Sequence, residues 1–339
     1  MGKQRQHFLP QFLLKGFTST VNGNQHFVTV FRKDQEPFET NIINVGVEAG
    51  FYDGPSGFDL ETALSSQESD WATLVENLRH GLMEDSDKEL IVDFVCNLVV
   101  RTKHCRESLA EVVEGFLSTA INSMTDPGNR SALENYLLEQ ALKLPEMQSL
   151  LGHLPRESRT KLLLIFSKRL GLTSKFAELL RVMPERIDMH AASRDSQLEA
   201  LEGELEARKE ELREFVWHLY KEPRGKFLLG DVGPLARFRG AVADLRPAMF
   251  LGEPELIILP ISSQYLLIGT RTSVLQDIDL EEVNVACVTL SREFFVASQR
   301  TAREEEYRSR IGSRANYLDD PEVNDVLQTF SNDILKSRQ

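Results

Sequence analysis

The apolar positions of this chain change their spacing twice. Near the start, "KQRQHFLPQFLLKGF" sets Phe8, Leu9, Phe12, Leu13 and Phe17 at helical intervals. Pro10 suits the first helical position, because the N–H it lacks would go unpaired there, and Gly16 suits the stop. "QHFVTVFRK" then reads as a strand, "DQEP" as a turn and "FETNIINVG" as a second strand, so a hairpin is expected. "AGFYDGPSGFD" reads as a loop. From Ser65 the period becomes helical, with further helices expected over 87–123, 131–144, 157–183 and 195–221. Ser65 with Glu68, Ser131 with Glu134, and Ser196 with Glu199 have capping-box spacing. The chain then turns back to strands at "KFLLGD", "ELIILP" and "QYLLIG", with a turn at Gly233-Pro234. "LEEVNVACVTLSREFFVAS" fits either period and is read as helix.

This order predicts an α+β chain. A small mixed or antiparallel sheet is built from the N-terminal hairpin and the late strands, and it packs against a large helical middle. One domain spans 1–339, with a β-rich part at 1–58, a helical part at 65–222, an α+β part at 226–310 and a helical tail at 311–339. Composition leaves that picture intact: of 339 residues, 41% are hydrophobic and 27% charged, enough apolar material for a sizeable core. No apolar run reaches the roughly 18 residues of a membrane span, and the basic N-terminus lacks the apolar stretch of a secretory signal, so no membrane partner is expected. Cys96, Cys105 and Cys287 have no disulfide or zinc spacing, which fits a reducing cytoplasm.

Charge changes the picture more. The net charge is −13, yet no acidic residue precedes Asp34, while Lys3, Arg5, Lys15, Arg32 and Lys33 do. An acidic chain is a poor general nucleic-acid binder, but a local basic site for a nucleic acid or nucleotide remains open. His7 stands at a predicted helix start, where free N–H groups and the helix dipole favour an anion. With Lys3 and Arg5 it makes a candidate phosphate site and a candidate general acid or base; alternatively it hydrogen-bonds a loop and closes the fold. Asp231, at a strand end, is a candidate base or divalent-metal ligand (Mg or Mn), or else an Asx-turn residue. Arg101 ends an apolar helix and either clamps an anion bidentately or caps the helix and reaches to water. Glu61 and Glu68 complement a helix start. The charged helix at 195–221 is a solvated face or a short coiled-coil contact for self-association or a protein partner. No GxxxxGK[ST], GxGxxG, GxSxG or HExxH is present.

"QHFLPQFLLKGF" followed by "NVGVEAGFYD", then "NLVVRTKHCRE", and later "FLLGDVGP" with "ILPISSQYLLI", resembles the domain of unknown function 4238 family. Its members typically open on a His-Tyr-Val-Pro motif and carry a segment ending Phe-Tyr. Here Phe8 replaces the motif's Tyr and Leu9 its Val, so a phenol at position 8 is dispensable. Val232 and Gly233 stretch the family's Asp–Pro spacing. The resemblance implies continuity of fold and names no activity. Two functions are therefore expected in competition: a nuclease-like hydrolase of phosphodiesters or nucleotides using His7 and Asp231 with Lys3, Arg5 and Arg101, or a non-catalytic interaction protein in which the His7 segment is a clasp. An effector role in bacterial antiphage defence or toxin systems is an expectation of context that either mechanism accommodates.

Overall fold

The computed structural model describes residues 5–52, 60–182, 194–195, 197, 205–239, 244–249, 252–272, 279–316, 323–326 and 328–329, with side chains at 60–66, 132 and 205 left aside. Two compact units result. The first joins Met1–Ser108 to His190–Asn316, and the second joins Leu109–Met189 to Tyr317–Gln339.

In chain order the first unit begins with strand β1 (Arg5–His7), helix α1 (Gln11–Leu14), β2 (Thr20–Asn22), β3 (Gln25–Arg32), β4 (Gln35–Asn41) and β5 (Val47–Ala49). Helices α2 (Leu60–Arg79) and α3 (Lys88–Arg101) follow, and α4 (Lys103–Thr125) leads into the second unit. After the helix Leu205–Arg213 come β6 (Val216–Lys221), β7 (Leu229–Gly230), β8 (Leu235–Phe238), β9 (Arg246–Pro247), β10 (Pro254–Pro260) and β11 (Tyr265–Thr270), then the helix Leu280–Leu290, β12 (Phe294–Ala297) and the helix Ala302–Arg308.

The expected hairpin forms, and β3 also takes the late strand β12 antiparallel, Arg32 opposite Phe294 and Thr29 opposite Ala297. The first sheet runs β2-β3-β12-β7 with β4 on β3, and the second runs β6-β11-β10-β8-β9. β1 and β5 make a separate two-stranded ribbon. Alternation along β3 and β12 divides their side chains between two clusters. Val28, Val30 and Val296 join the main core with α1, α3 and the second sheet, whereas Phe31 and Phe295 stack at 4.7 Å in a smaller cluster with Tyr307 and Ile311. Helix α3 is apolar on nearly every side and is buried accordingly.

Several expected boundaries moved. α2 already begins at Leu60, so Ser65 lies inside it, and Asn129 rather than Ser131 precedes the next helix. Ser196 and Glu199 lie outside the described residues. The stretch expected as one helix to 221 ends at Arg213, because "FVWHLYK" is rich in strand formers and β6 pairs along the whole of β11. The segment from 280 divides into helix and strand at Ser291. Gly16 has a reason other than a helix stop: a Cβ there would stand 2.3 Å from the Ile261 carbonyl oxygen, and the Gly16 carbonyl accepts from the Ser263 N–H.

The second unit continues α4 with α5 (Arg130–Lys143), α6 (Pro145–Leu151), α7 (Arg156–Leu170) and α8 (Leu172–Val182). Gly171, with φ +63°, makes the left-handed cap between α7 and α8, splitting the helix expected over 157–183. The Arg130 guanidinium donates to the Ser174 hydroxyl, and Ser167 meets Thr173 across the same turn. No helix among the described residues is long and apolar enough to cross a membrane.

Candidate functional site

His7 ends β1, where it lies opposite Val47 of β5. Just beyond it the Phe8 and Leu9 N–H groups both donate to the Gly46 carbonyl, at 2.8 and 3.2 Å. Gly46 has φ +60°, and a Cβ there would press on Leu9 at 2.7 Å, so the ribbon and α1 are locked at close range. The His7 carbonyl accepts from three donors: Arg101 Nη2 at 2.7 Å, Arg101 Nε at 3.1 Å and the Tyr52 hydroxyl at 3.1 Å. Gln6 accepts from the Tyr52 N–H with its side-chain oxygen.

Arg101 is therefore directed inward and neither reaches to water nor stands open for a ligand. Its remaining nitrogen Nη1 faces Glu68 Oε1 at 2.5 Å, and its guanidinium lies over the Tyr52 ring. Burial works against its charge, and Tyr52 and Glu68 outweigh it, so its pKa is raised. Glu68, expected as half of a capping box, is instead the counter-ion of this buried cation.

The His7 imidazole is left over from this arrangement. Its Nε2 is enclosed and has no hydrogen-bond partner among the described residues. Burial and then the Arg101 charge lower its pKa, with Arg5 adding to the shift, while a hydrogen bond to the Ile43 carbonyl and the Glu68 charge oppose it, so the neutral ring is favoured. Arg5 is exposed and donates to the Ile43 carbonyl at 3.3 Å and the Asn44 side chain at 3.1 Å. Lys3 lies outside the described residues.

Asp231 stands in the turn after β7. Oδ1 accepts from the Arg292 N–H at 2.9 Å, and Oδ2 from those of Glu293 at 2.7 Å and Phe294 at 3.2 Å, pinning the start of β12. Burial pushes its pKa up to about 6 against the pull of the three N–H groups. This is the side chain-to-backbone role that the Asx-turn alternative anticipated, played across the sheet. With three lone-pair directions taken, the carboxylate fits a divalent metal poorly, and no three His, Cys, Asp or Glu side chains gather at a metal site among the described residues.

No hydrogen bond or ion pair among the described residues joins His7 to Asp231. What links their strands is a chain of charges. Glu48, opposite Gln6 in the ribbon, pairs with Arg106 at 2.9 Å, and Lys103 reaches Glu48 at 3.7 Å, Glu107 at 3.6 Å and Glu293 more closely. The Arg106 guanidinium also covers the Phe51 ring at 4.2 Å. Of these, Glu48, Phe51 and Tyr52 fall in the quoted "NVGVEAGFYD" segment and Lys103 and Arg106 in "NLVVRTKHCRE".

Three of the stretches quoted for the family likeness, those of His7, Tyr52 and Arg101, meet here, and a family model described as "Protein of unknown function (DUF4238)" matches residues 5–305. The chain belongs to the DUF4238 family. No curated protein and no solved structure matches it. The DUF4238 match takes in the ribbon, both sheets and the helices of the second unit, so the His7 clasp and the Asp231 anchor both lie within the family domain.

Proposed function

We propose that the chain is a hydrolase directed at phosphodiesters or nucleotides, with His7 as its proton-transfer group. One observation carries this: the enclosed Nε2 of a neutral imidazole has no partner, although buried polar atoms ordinarily do. The backbone clasp does not account for it, since any residue at position 7 supplies the carbonyl that Arg101 and Tyr52 hold. In this reading Nε2 takes the proton from a water that attacks phosphorus, and returns it to the leaving oxygen. Arg5 lends positive charge near the ring. Arg101 is a positioning residue that fixes the ribbon through the His7 carbonyl. Asp231 keeps the sheet in place, and no step is routed through it or through a metal.

The test is cleavage of labelled DNA, RNA and nucleotides by purified protein, with His7→Ala alongside. We expect a loss of at least about 100-fold in kcat for the variant, with an intact fold. Because the folded ring titrates below 6.5, kcat/KM holds level above that pH and falls beneath it. Absence of cleavage of every substrate, or full activity in His7→Ala, overturns the reading.

A second reading, a non-catalytic interaction protein, is favoured by the three donors converging on the His7 carbonyl. It assigns the segment to holding the ribbon, and predicts a stable partner in pulldown with no turnover. The expected partner helix contributes little to it in its described part: Lys209 pairs with Asp93 and Arg213 with Glu89, both on α3. Three buried free thiols support a reducing, cytoplasmic setting for either reading. An effector role in bacterial antiphage defence or toxin systems is a context that either reading accommodates, and growth arrest on expression, relieved by His7→Ala, is its check.

A further inference from the structure

The second unit leaves an unusual amount of apolar surface uncovered. Leu150, Ile165, Phe166 and Leu170 are each more than half exposed. Most of these side chains converge on a single groove of about 710 Å³ between α5, α6, α7 and α8, which Leu138, Met147, Leu163 and Phe176 also line. That volume is within the range of roughly 300–1,000 Å³ typical of small-molecule sites. Two polar residues interrupt the lining. Ser167 is buried and already meets Thr173. Lys175 is exposed at the groove and has no ion pair among the described residues.

Charge around the groove runs against that of the whole chain. Between 156 and 182 the sequence has seven Lys or Arg against two Glu, in a protein of net charge −13. A lining without free hydrogen-bonding groups selects a ligand with an apolar body, and a lone cation at the rim selects an anionic end. The apolar side chains face one another across a concavity, whereas a bilayer surface needs them presented outward on a common plane.

We propose that this groove binds a single-chain anionic amphiphile, of which a long-chain fatty acid is the simplest, with the acyl chain among the leucines and the carboxylate on Lys175. The site is separate from His7, and its test does not depend on the hydrolase reading: His7→Ala leaves it intact.

The experiment is displacement of dansyl-undecanoate from the full chain by unlabelled fatty acids of 8 to 16 carbons, each kept below its micelle concentration. We expect one site per chain and about fourfold tighter binding for each added methylene until the groove is filled. Lys175→Glu should weaken the acids several-fold and leave the matching alcohols unchanged. Phe166→Asp, a change at an exposed position, should abolish both while circular dichroism stays the same; Leu170→Gln is the second variant should Phe166→Asp misfold. Failure of the acids to displace the probe, indifference to chain length, or unaltered binding in both groove variants overturns the proposal. So does sedimentation with phosphatidylglycerol vesicles when monomeric acids fail to compete, which would mark a bilayer-docking face. A dimer broken by Phe166→Asp that excludes the probe would mark the groove as a contact between copies.

Discussion

His7 and Asp231 both hold strands of the first unit in place, and they do so with opposite parts of the residue. Asp231 works through its side chain, whose two oxygens collect three backbone N–H groups at the start of β12. His7 works through its backbone, whose carbonyl collects Arg101 and Tyr52, while its ring bonds only the neighbouring Ile43 carbonyl and leaves Nε2 unpaired among the described residues. A bond made by a side chain explains the residue type, and a bond made by a carbonyl does not. Asp231 is therefore accounted for by structure, and the Nε2 of His7 remains to be accounted for by chemistry.

The contrast can be broken at either end. Asp231→Ala strands three N–H groups at a buried strand start and should cost about 3–5 kcal/mol in urea unfolding. Asp231→Asn should recover only part, because its amide turns an N–H₂ toward donors. Arg101→Met removes both guanidinium bonds to the His7 carbonyl and leaves Glu68 without its counter-ion, for about 2–4 kcal/mol. If Arg101→Met were silent, the carbonyl clasp would be ornamental and the contrast would fail.

A smaller effect comes from pH. The folded pKa of Asp231, about 6, lies above its ordinary value of 3.8, so the folded state holds the proton more tightly. Its linked stability is fully present below about pH 4 and is lost as pH rises through about 6. Relative to Asp231→Asn, the parent should gain on the order of 2 kcal/mol between pH 7 and 4. An equal pH profile in the two proteins would mean that the carboxylate titrates normally. Smallest of all, His7→Ala should change unfolding free energy by about 1 kcal/mol, since position 7 keeps its carbonyl and loses only the ring's bond to Ile43. A larger loss would assign the ring a structural part and weaken the case for catalysis.

Much of the first unit was legible in the sequence because its signals are local. The β3–β4 hairpin, β10 and β11 all declare themselves by strand-forming runs with turn residues between them. β6 was misread for a local reason: "FVWHLYK" follows the charged helix directly, with no glycine or proline to mark the change of period. The site was legible only in part. His7, Asp231 and Arg101 stand at element ends, where sequence reading looks. Their partners Glu68, Tyr52 and Glu293 are supplied by other elements, and nothing in residue spacing pairs Arg101 with position 7. Gly16 shows the same limit: its neighbour Ile261 is brought there only by the fold.

The pairing of β3 with β12 has a consequence for how the protein is made. β3 leaves the ribosome early, and the edge it gives to β12 stays open from the emergence of Arg32 until Phe294–Ala297 has been translated. β4 can close the other side at once. Throughout that interval the nascent chain carries an unpaired edge at Thr29–Arg32, a ready template for another strand. A ribosome stalled before codon 294 would display it permanently, so premature termination late in the message should give insoluble product or chaperone-bound chains rather than a stable fragment.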